Sequence, residues 1–320
     1  MSRTRDTRRT FLRRAGIMAL SAMGASRVQI SSAQTAVPNS SGSEPPTLKA
    51  PPQAADCHIH IYDPRFEPPV ARPANATVQD YRLLQKRNGT SRVVIVTPRN
   101  YAVDNRVTVD AIAQIGLANA RGVAVVRPTV TDAELRSLAD SGIRGIRFTV
   151  YEPKGAVVTI DMIEPLAKRI AELGWHVQLH MTAEQIVDHA EMLRRLPTPI
   201  VFDHMGRLTL PAGPDHPAFG ILLALVDKGR AWVKISGAYL NTKVGPPGYA
   251  DATRIAQAYV KAVPERLVWG SDWPHPSEPE HKPDDAALFD LLATWAPDET
   301  MRRRILVTNP EALYGFARVA

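Results

Sequence analysis

Two closely spaced histidines are the first residues of this chain whose types and spacing could do chemistry. His58 and His60 stand two residues apart in the run 56–63. In a β-strand, residues two apart point to the same face, so both imidazoles would converge on one small volume. Imidazole nitrogens bind divalent metals and also donate hydrogen bonds to a polarised carbonyl oxygen. The pair predicts a metal site or a carbonyl-binding site, with a polar surface strand as the alternative.

Further titratable residues stand where other apolar runs end. His180 closes one run, His204 closes the next, and Asp272 closes the last. Arg147 and Arg207 stand at or just beyond the ends of two runs. If the runs are parallel strands of a barrel, their carboxyl ends lie at one rim, where enzymes of that fold carry their active sites. We therefore expect these side chains to share a single site.

The elements that would position these residues alternate along the whole body of the chain. Apolar, β-branched runs predict eight strands, at residues 55–61, 91–97, 122–127, 145–150, 175–180, 198–204, 231–236 and 266–272. Segments with apolar residues near a 3.6 period predict helices between them, at residues 104–120, 160–173, 182–195, 217–229 and 249–263. Another helix is predicted after Thr131, because Glu134 follows at capping-box spacing. Eight alternations predict an α/β fold, a single-domain (β/α)8 TIM barrel over residues 54–320, with a doubly wound open sheet as the alternative.

The first 33 residues have the pattern of an export signal. Arg8 and Arg9 stand in the basic stretch 7–13, and the apolar run 15–25 that follows is too short to span a membrane comfortably. The pattern predicts a twin-arginine signal peptide, export of the folded protein by the twin-arginine machinery, a periplasmic location and no stable membrane association after cleavage. A basic disordered tail is the alternative. Residues 34–53, rich in Pro and Ser, are predicted to be a linker.

The basic excess of the chain comes from this leader. Residues 1–34 hold seven of the 39 basic side chains and one of the 32 acidic ones, which leaves 32 basic against 31 acidic residues. A near-neutral body argues against nucleic acid or a membrane surface as a partner. Cys57 is the only cysteine, so no internal disulfide can form. The alternation of the first strand predicts that Cys57 points away from His58 and His60.

Motifs around these residues resemble the amidohydrolase superfamily. The His-x-His of the first strand, a His after each of strands five and six, and an Asp after strand eight are similar to its pattern. Five further motifs narrow the branch: RGIRF at 144–148, DHMGR at 203–207, KISGAY at 234–239, GSDWPH at 270–275 and NPEALYGF at 309–316. Over about residues 54–317 the chain resembles the amidohydrolase-2 group, which includes 2-pyrone-4,6-dicarboxylate lactonase, D-galactarolactone isomerase and sulfomuconolactone hydrolase.

The resemblance implies a hydrolase that opens the ring of a small carboxylated lactone. Asp272 would be the general base that takes a proton from water, while His204, with His58 and His60, would polarise the carbonyl. If a substrate hydroxyl replaces the water, the product is an isomerised lactone. The same residues are also compatible with a metal-dependent decarboxylase or with a non-catalytic periplasmic binding protein for acidic ligands.

The same residues complete a ligand set for one metal ion. His58, His60, His180 and Asp272 offer nitrogen and oxygen ligands suited to zinc. Relatives in the group use the same histidines without metal, as hydrogen-bond donors. A single zinc site and metal-free operation therefore both stay open.

The chain departs from the resemblance at three points, one of which is His180, a strand-five ligand that the metal-free pyrone lactonase lacks. Binuclear members carry a carboxylated Lys or a Glu on strand four, where this chain has Arg147-Phe148-Thr149, so a bridged two-metal site is not expected. Arg147 and Arg207, with planar guanidinium forks, would hold a substrate carboxylate, and a salt bridge within the barrel is the alternative for Arg147. Leu240 stands where the resemblance leads us to expect a further arginine for that carboxylate.

Overall fold

A computed structural model describes residues 36–71, 73–240 and 242–318 of the chain. The predicted signal peptide, residues 1–33, lies outside the described residues, so the leader, the export route and the periplasmic location stay predictions. Within the described ranges, none of the helices has the length and the apolar character needed to cross a membrane.

Eight parallel strands form one sheet in chain order. They are β1 (Ala55–Ile59), β2 (Arg92–Val96), β3 (Ala120–Ala124), β4 (Ile143–Thr149), β5 (His176–His180), β6 (Ile200–Phe202), β7 (Ala231–Ser236) and β8 (Leu267–Gly270). Beyond β8 the chain bonds back to β1: the Asp272 amide donates to the His58 carbonyl, and the His60 amide donates to the Trp273 carbonyl, both at 2.8 Å. The predicted (β/α)8 barrel is confirmed, because these bonds join the last strand to the first.

Helices follow the strands around the outside of the barrel. They are α1 (Val78–Asn88), α2 (Arg106–Ile115), α3 (Asp132–Asp140), α4 (Ile163–Ile170), α5 (Ala183–Asp188), α6 (Ala190–Arg195), α7 (Pro217–Asp227), α8 (Ala250–Ala262), α9 (Asp285–Trp295), α10 (Glu299–Arg303) and α11 (Asn309–Tyr314). The cap predicted for α3 is confirmed, since Thr131 and Glu134 bond to each other's amides. No prediction covered α1, although Thr77 and Asp80 form the same reciprocal cap. The segment predicted as one helix over 182–195 is divided at His189 into α5 and α6.

Two apolar clusters fill the space on either side of the strands. The larger one packs the helices against the outer faces of the strands. The smaller one joins side chains of six strands with C-terminal residues, namely Ala55, Cys57, Val94, Val96, Val123, Val201, Trp232, Val268, Tyr314 and Phe316. Burial on both faces explains why the strands read as almost continuous apolar runs.

The described part of the predicted linker, residues 36–53, lies against the barrel. The Trp273 indole donates to the Pro38 carbonyl at 2.9 Å, and the Asp290 carboxylate accepts from the Leu48 amide at 2.7 Å. These bonds attach the segment to the residues just after β8 and to helix α9.

Candidate active site

The carboxyl ends of three strands bring three imidazoles around one carboxylate. Asp272 Oδ1 lies 3.5 Å from His58 Nε2, 3.7 Å from His60 Nε2 and 4.0 Å from His204 Nε2. All four side chains are buried. Asp272 has a φ of +65°, a left-handed conformation that is costly for a residue other than glycine and that recurs at functional sites. The structure therefore brings these four predicted site residues together.

A β-bulge in β1 decides which side chains of that strand enter the barrel. The pairing of β1 with β2 changes register after Asp56. His58 and His60 share the inner side, as predicted, but Cys57 also packs inside the barrel. Asp56 instead faces the helix layer, where the Tyr81 hydroxyl donates to it at 3.3 Å. The prediction that Cys57 points away from the histidines is wrong, because the bulge interrupts strict alternation.

Hydrogen bonding fixes the tautomer of His60. Its Nδ1 lies 2.8 Å from the Val96 carbonyl oxygen, which can only accept, so Nδ1 carries the hydrogen. Burial, together with the charge of Arg147, lowers the pKa of His60 to about 4, so the ring is neutral near pH 7. The Nε2 of His60 therefore presents a lone pair to His58 Nε2, 3.4 Å away.

The other nitrogen of His58 lies between an ammonium group and a carboxylate. His58 Nδ1 is 3.3 Å from Lys234 Nζ and 3.3 Å from Asp203 Oδ1. Lys234 also donates to the Cys57 carbonyl at 2.9 Å and to Gln178 Oε1 at 2.8 Å. Burial lowers the pKa of Lys234 to about 8. No role for Lys234 was predicted from the sequence. A single lysine within the apolar run of β7 could have indicated a functional role.

Asp203 is the buried carboxylate that holds Arg147. Arg147 Nε donates to Asp203 Oδ2 at 2.9 Å, and Gln178 Nε2 donates to the same oxygen at 3.1 Å. Burial works against ionisation of this carboxylate, but the charges of Arg147 and Lys234 help to hold its pKa well below the usual range. Arg147 thus forms a salt bridge inside the barrel, which was the alternative for this residue, and its guanidinium also lines the cavity.

His180 presents a hydrogen-bond donor at the cavity wall. Its Nδ1 lies 3.3 Å from Arg147 Nη2, and because a guanidinium only donates, Nδ1 accepts and Nε2 carries the hydrogen. That Nε2 is buried and has no hydrogen-bond partner among the described residues. The ring stacks on Tyr151 with centroids 4.2 Å apart and lies 4.8 Å from the His204 ring.

Tyr239 holds the second oxygen of Asp272. Its hydroxyl donates to Asp272 Oδ2 at 2.6 Å and lies 3.2 Å from His275 Nδ1, whose Nε2 is 3.1 Å from Asp285 Oδ2. Burial would raise the pKa of Asp272, but His204, the other imidazoles and the Tyr239 hydrogen bond together lower it below its usual value. Tyr239 was not predicted as a site residue, since nothing local to residues 234–239 marks a partner in the loop after β8.

A cavity of about 240 Å³ opens at this rim of the barrel. Its wall includes His60, Tyr62, Arg99, Asn100, Arg147, Thr149, Tyr151, His180, His204, Arg207, Leu240, Asp272, Pro276 and Ser277. Arg207 lies over the Tyr151 ring, 5.5 Å from its centroid. The volume suits a small ligand, below the range of drug-sized pockets.

The spacing around Asp272 fits a single metal ion. Zinc bonds of about 2.1 Å place tetrahedral ligand atoms about 3.4 Å apart. The three atoms His58 Nε2, His60 Nε2 and Asp272 Oδ1 are separated by 3.4, 3.5 and 3.7 Å. His58, His204 and Asp272 also form a metal-competent group, whereas His180 falls in a separate group with His204.

Known proteins with similar sequences and folds match nearly the whole barrel. The amidohydrolase family profile matches residues 55–316. The 2-pyrone-4,6-dicarboxylate hydrolase of Comamonas testosteroni is 35% identical over 282 residues, which cover 84% of this chain and 92% of that protein. The D-galactarolactone isomerase of Agrobacterium fabrum is 32% identical over 284 residues, covering 86% and 95%. A crystal structure of an Agrobacterium tumefaciens protein without ligand superposes with a TM-score of 0.77 at 32% identity, covering 86% of this chain and all of that one.

Proposed function

This chain belongs to the amidohydrolase family, and we propose that it opens the ring of a small carboxylated lactone by attack of water. The observation that carries the proposal is the setting of Asp272. One carboxylate oxygen is held by Tyr239, and the other faces three imidazoles beside the cavity. The similarity to a lactone hydrolase over most of the barrel supports the choice of substrate class.

Asp272 acts as the general base. Its lowered pKa keeps the carboxylate ionised near pH 7, and Oδ1 faces the three imidazoles. Oδ1 takes a proton from water as the water oxygen bonds to the carbonyl carbon. The carboxyl group then returns this proton to the ring oxygen as the ring carbon–oxygen bond breaks. The product is a hydroxy acid, and Asp272 is again ionised.

His180 and His204 stabilise the oxyanion that forms on the carbonyl. His180 Nε2–H is a buried donor with no partner among the described residues, and its ring lines the cavity. Ser236 Oγ lies 3.0 Å from His204 Nδ1, and a hydroxyl that donates there leaves the hydrogen on the His204 Nε2. Donors held in place where charge develops stabilise the transition state more than the ground state.

His58, His60 and Asp272 would hold a divalent metal ion such as zinc. When bound, the metal would supply Lewis-acid polarisation of the carbonyl and a more acidic water. Without a metal ion, His60 Nε2 and Asp272 Oδ1 are two hydrogen-bond acceptors 3.7 Å apart. A hydrogen on His58 Nε2 then serves as the donor to both. Lys234 favours that tautomer by donating to His58 Nδ1, whereas Asp203 favours the tautomer that frees Nε2 for a metal.

Lactone isomerisation is the second candidate. The relative from Agrobacterium fabrum is named a D-galactarolactone isomerase and matches 86% of this chain. The same base and donors serve when a hydroxyl of the substrate, in place of water, attacks the carbonyl carbon. The product is then a lactone of different ring connectivity rather than a hydroxy acid.

The test is a lactone panel with two readouts. Purified protein is incubated with aldaronolactones, muconolactones and pyrone carboxylates in a pH-stat, and products are identified by NMR. We expect acid release from at least one carboxylated lactone, whereas isomerisation gives a new lactone without acid release. The Asp272→Asn variant should lower kcat by about 10²- to 10⁴-fold, because it lacks the base. The matched control is Asp227→Asn, an exposed position on α7.

The same assay decides the metal question. Activity is measured before and after chelation and again after addition of zinc, alongside metal analysis of the purified protein. Loss on chelation and recovery with zinc supports the metal-bound arrangement, and unchanged activity supports the metal-free one. Failure to turn over any lactone would overturn the proposed function, with ligand binding alone indicating a binding protein. An active, folded Asp272→Asn variant would overturn the role of that residue.

A further inference from the structure

Two of the three arginines at the cavity are already engaged. Arg99 donates through Nη1 to Glu152 at 2.9 Å and through Nη2 to the Lys154 carbonyl at 2.7 Å. Arg147 donates through Nε to Asp203 and through Nη2 to His180. A bidentate grip on a carboxylate needs two adjacent nitrogens of one guanidinium. Each of these two arginines has two of its three guanidinium nitrogens engaged, and the charge of each is matched by a nearby carboxylate.

Arg207 is the third arginine of the cavity, and it differs from the other two in its contacts. It makes no hydrogen bond and no ion pair with any described residue, and its guanidinium lies over the face of Tyr151. The side chain is partly buried, so water compensates its charge less well than at an open surface. A ligand carboxylate would supply the missing partner through two parallel hydrogen bonds.

The wall of the cavity also contains an apolar stretch. Leu240 and Pro276 line the same space, and they offer no group that could pair with a second anion. The other two guanidinium groups in the lining, those of Arg99 and Arg147, are the two already engaged. A carboxylate buried against such a wall would lose its hydration without gaining a partner in return.

We propose that the substrate carries a single carboxylate, held by Arg207, and that its part facing Leu240 is uncharged. The inference rests on the proposed function, because it describes the substrate of the same site. It means that a lactone monocarboxylate is preferred both to the neutral lactone, which leaves Arg207 unpaired, and to a dicarboxylate, which places an unpaired charge against Leu240.

The first test compares lactones of one ring size with no, one or two carboxylates. We expect kcat/KM for the monocarboxylate to exceed that of each of the others by about 10- to 100-fold, the ratio that one charge-assisted hydrogen-bonded pair provides. Arg207→Gln should remove the preference over the neutral lactone, mainly through KM. Arg99→Gln is the matched control, and it should leave that preference unchanged. Loss of the preference in Arg99→Gln, or equal turnover of all three lactones, would overturn the inference.

The second test changes the apolar wall. Leu240→Arg adds a cation where the dicarboxylate would place its second charge, so kcat/KM for that substrate should rise by about 10-fold or more. Leu240→Met is the matched control with a similar volume and no charge, and it should show no rise. A dicarboxylate that is already the best substrate of the unchanged enzyme would contradict the inference.

A binding measurement separates this inference from the proposed function. Tetrahydrofuran-2-carboxylate and tetrahydrofuran-2,5-dicarboxylate lack the ester and cannot be turned over, so their affinities are measured by titration calorimetry. Tighter binding of the monocarboxylate, lost in Arg207→Gln, supports the inference even if no lactone is hydrolysed. Tighter binding of the dicarboxylate overturns it even if lactones are hydrolysed.

Discussion

At the scale of single residues, a hydrogen bond to its second oxygen orients the carboxylate of Asp272. Tyr239 donates to Oδ2 at 2.6 Å, and His275 and Asp285 extend this contact into a buried chain of polar groups. The Tyr239 side chain touches the base and lies outside the lining of the cavity, so it acts by positioning. Its hydrogen bond also contributes to the low pKa of Asp272.

Removing this donor tests the positioning role. Tyr239→Phe should lower kcat by about 10-fold, the loss of one hydrogen bond to a charged group, with little change in KM. The pKa of Asp272 should rise, so the acid limb of the kcat/KM profile should move to higher pH. Kinetics of the lactone reaction across pH measure both effects.

The control for this change removes a hydroxyl elsewhere. Tyr314→Phe deletes a buried hydroxyl that has no hydrogen-bond partner among the described residues, and it should leave the kinetics unchanged. If Tyr239→Phe matches Tyr314→Phe in both kcat and pH profile, Tyr239 does not position the base.

At the scale of elements, the contact between β8 and β1 places the histidines relative to Asp272. A Cβ added to Gly270 would lie 2.6 Å from the Cβ of His58 and 2.9 Å from its backbone nitrogen. The two strands can approach this closely only because Gly270 lacks a side chain. The distance from His58 to the base therefore depends on a glycine that takes no part in the chemistry.

Substituting this glycine should damage stability and activity together. Gly270→Ala forces β1 and β8 apart, so we expect the free energy of unfolding to fall by about 1–3 kcal/mol and kcat to fall as His58 moves from Asp272. Urea unfolding and lactone kinetics measure the two effects. Gly220→Ala on α7, where nothing lies within 4 Å of an added Cβ, should stabilise by up to about 1 kcal/mol. Equal behaviour of the two variants would mean that the strand contact tolerates a methyl group.

At the scale of the whole molecule, buried imidazoles make folding sensitive to acid. Burial lowers the pKa of His60 to about 4 and that of His176 to about 3, so both are neutral in the folded state near pH 7. The unfolded chain, with ordinary histidine pKa values near 6.5, binds these protons as the pH falls. The stability that the neutral rings contribute is therefore present above about pH 6.5 and decreases below it. Burial raises the pKa of Asp56 to about 7, so this group makes the folded state more stable as the pH falls. Its contribution offsets the loss of stability from about one of the histidines.

His176 allows the acid dependence to be measured away from the active site. Between pH 7.5 and 5, the neutral ring of His176 should lower the free energy of unfolding of the unchanged protein by about 2 kcal/mol. His176→Gln lacks this ring, so over the same pH range its free energy of unfolding should fall by about 2 kcal/mol less. Urea unfolding at several pH values gives both slopes. His281→Gln, at an exposed position, is the control and should keep the original slope. An unchanged slope in His176→Gln would contradict the assignment of a lowered pKa.

The sequence predicted the fold because the period of apolar residues reflects interactions between near neighbours in the chain. Strand β7 was predicted with the bounds that the structure has, and the cap of α3 followed from two residues three apart. The bulge in β1 was missed, because it arises from pairing with β2 and leaves no mark on the alternation of β1 itself. Helix α1 carried a readable cap at Thr77, yet its apolar pattern was too weak for a prediction.

For the candidate site, the sequence by itself determined which chemical groups stand at the strand ends, with His58, His60, His204 and Asp272 among them. Only the tertiary structure decided what each group touches. It paired Arg147 with Asp203, left Arg207 without a partner among the described residues, and set Tyr239 against the base. The physical reason is the separation along the chain of the residues that interact. Strand periodicity is encoded within a few residues, whereas hydrogen bonds and charge pairs across the barrel join groups tens of residues apart, through the closure and register of the sheet.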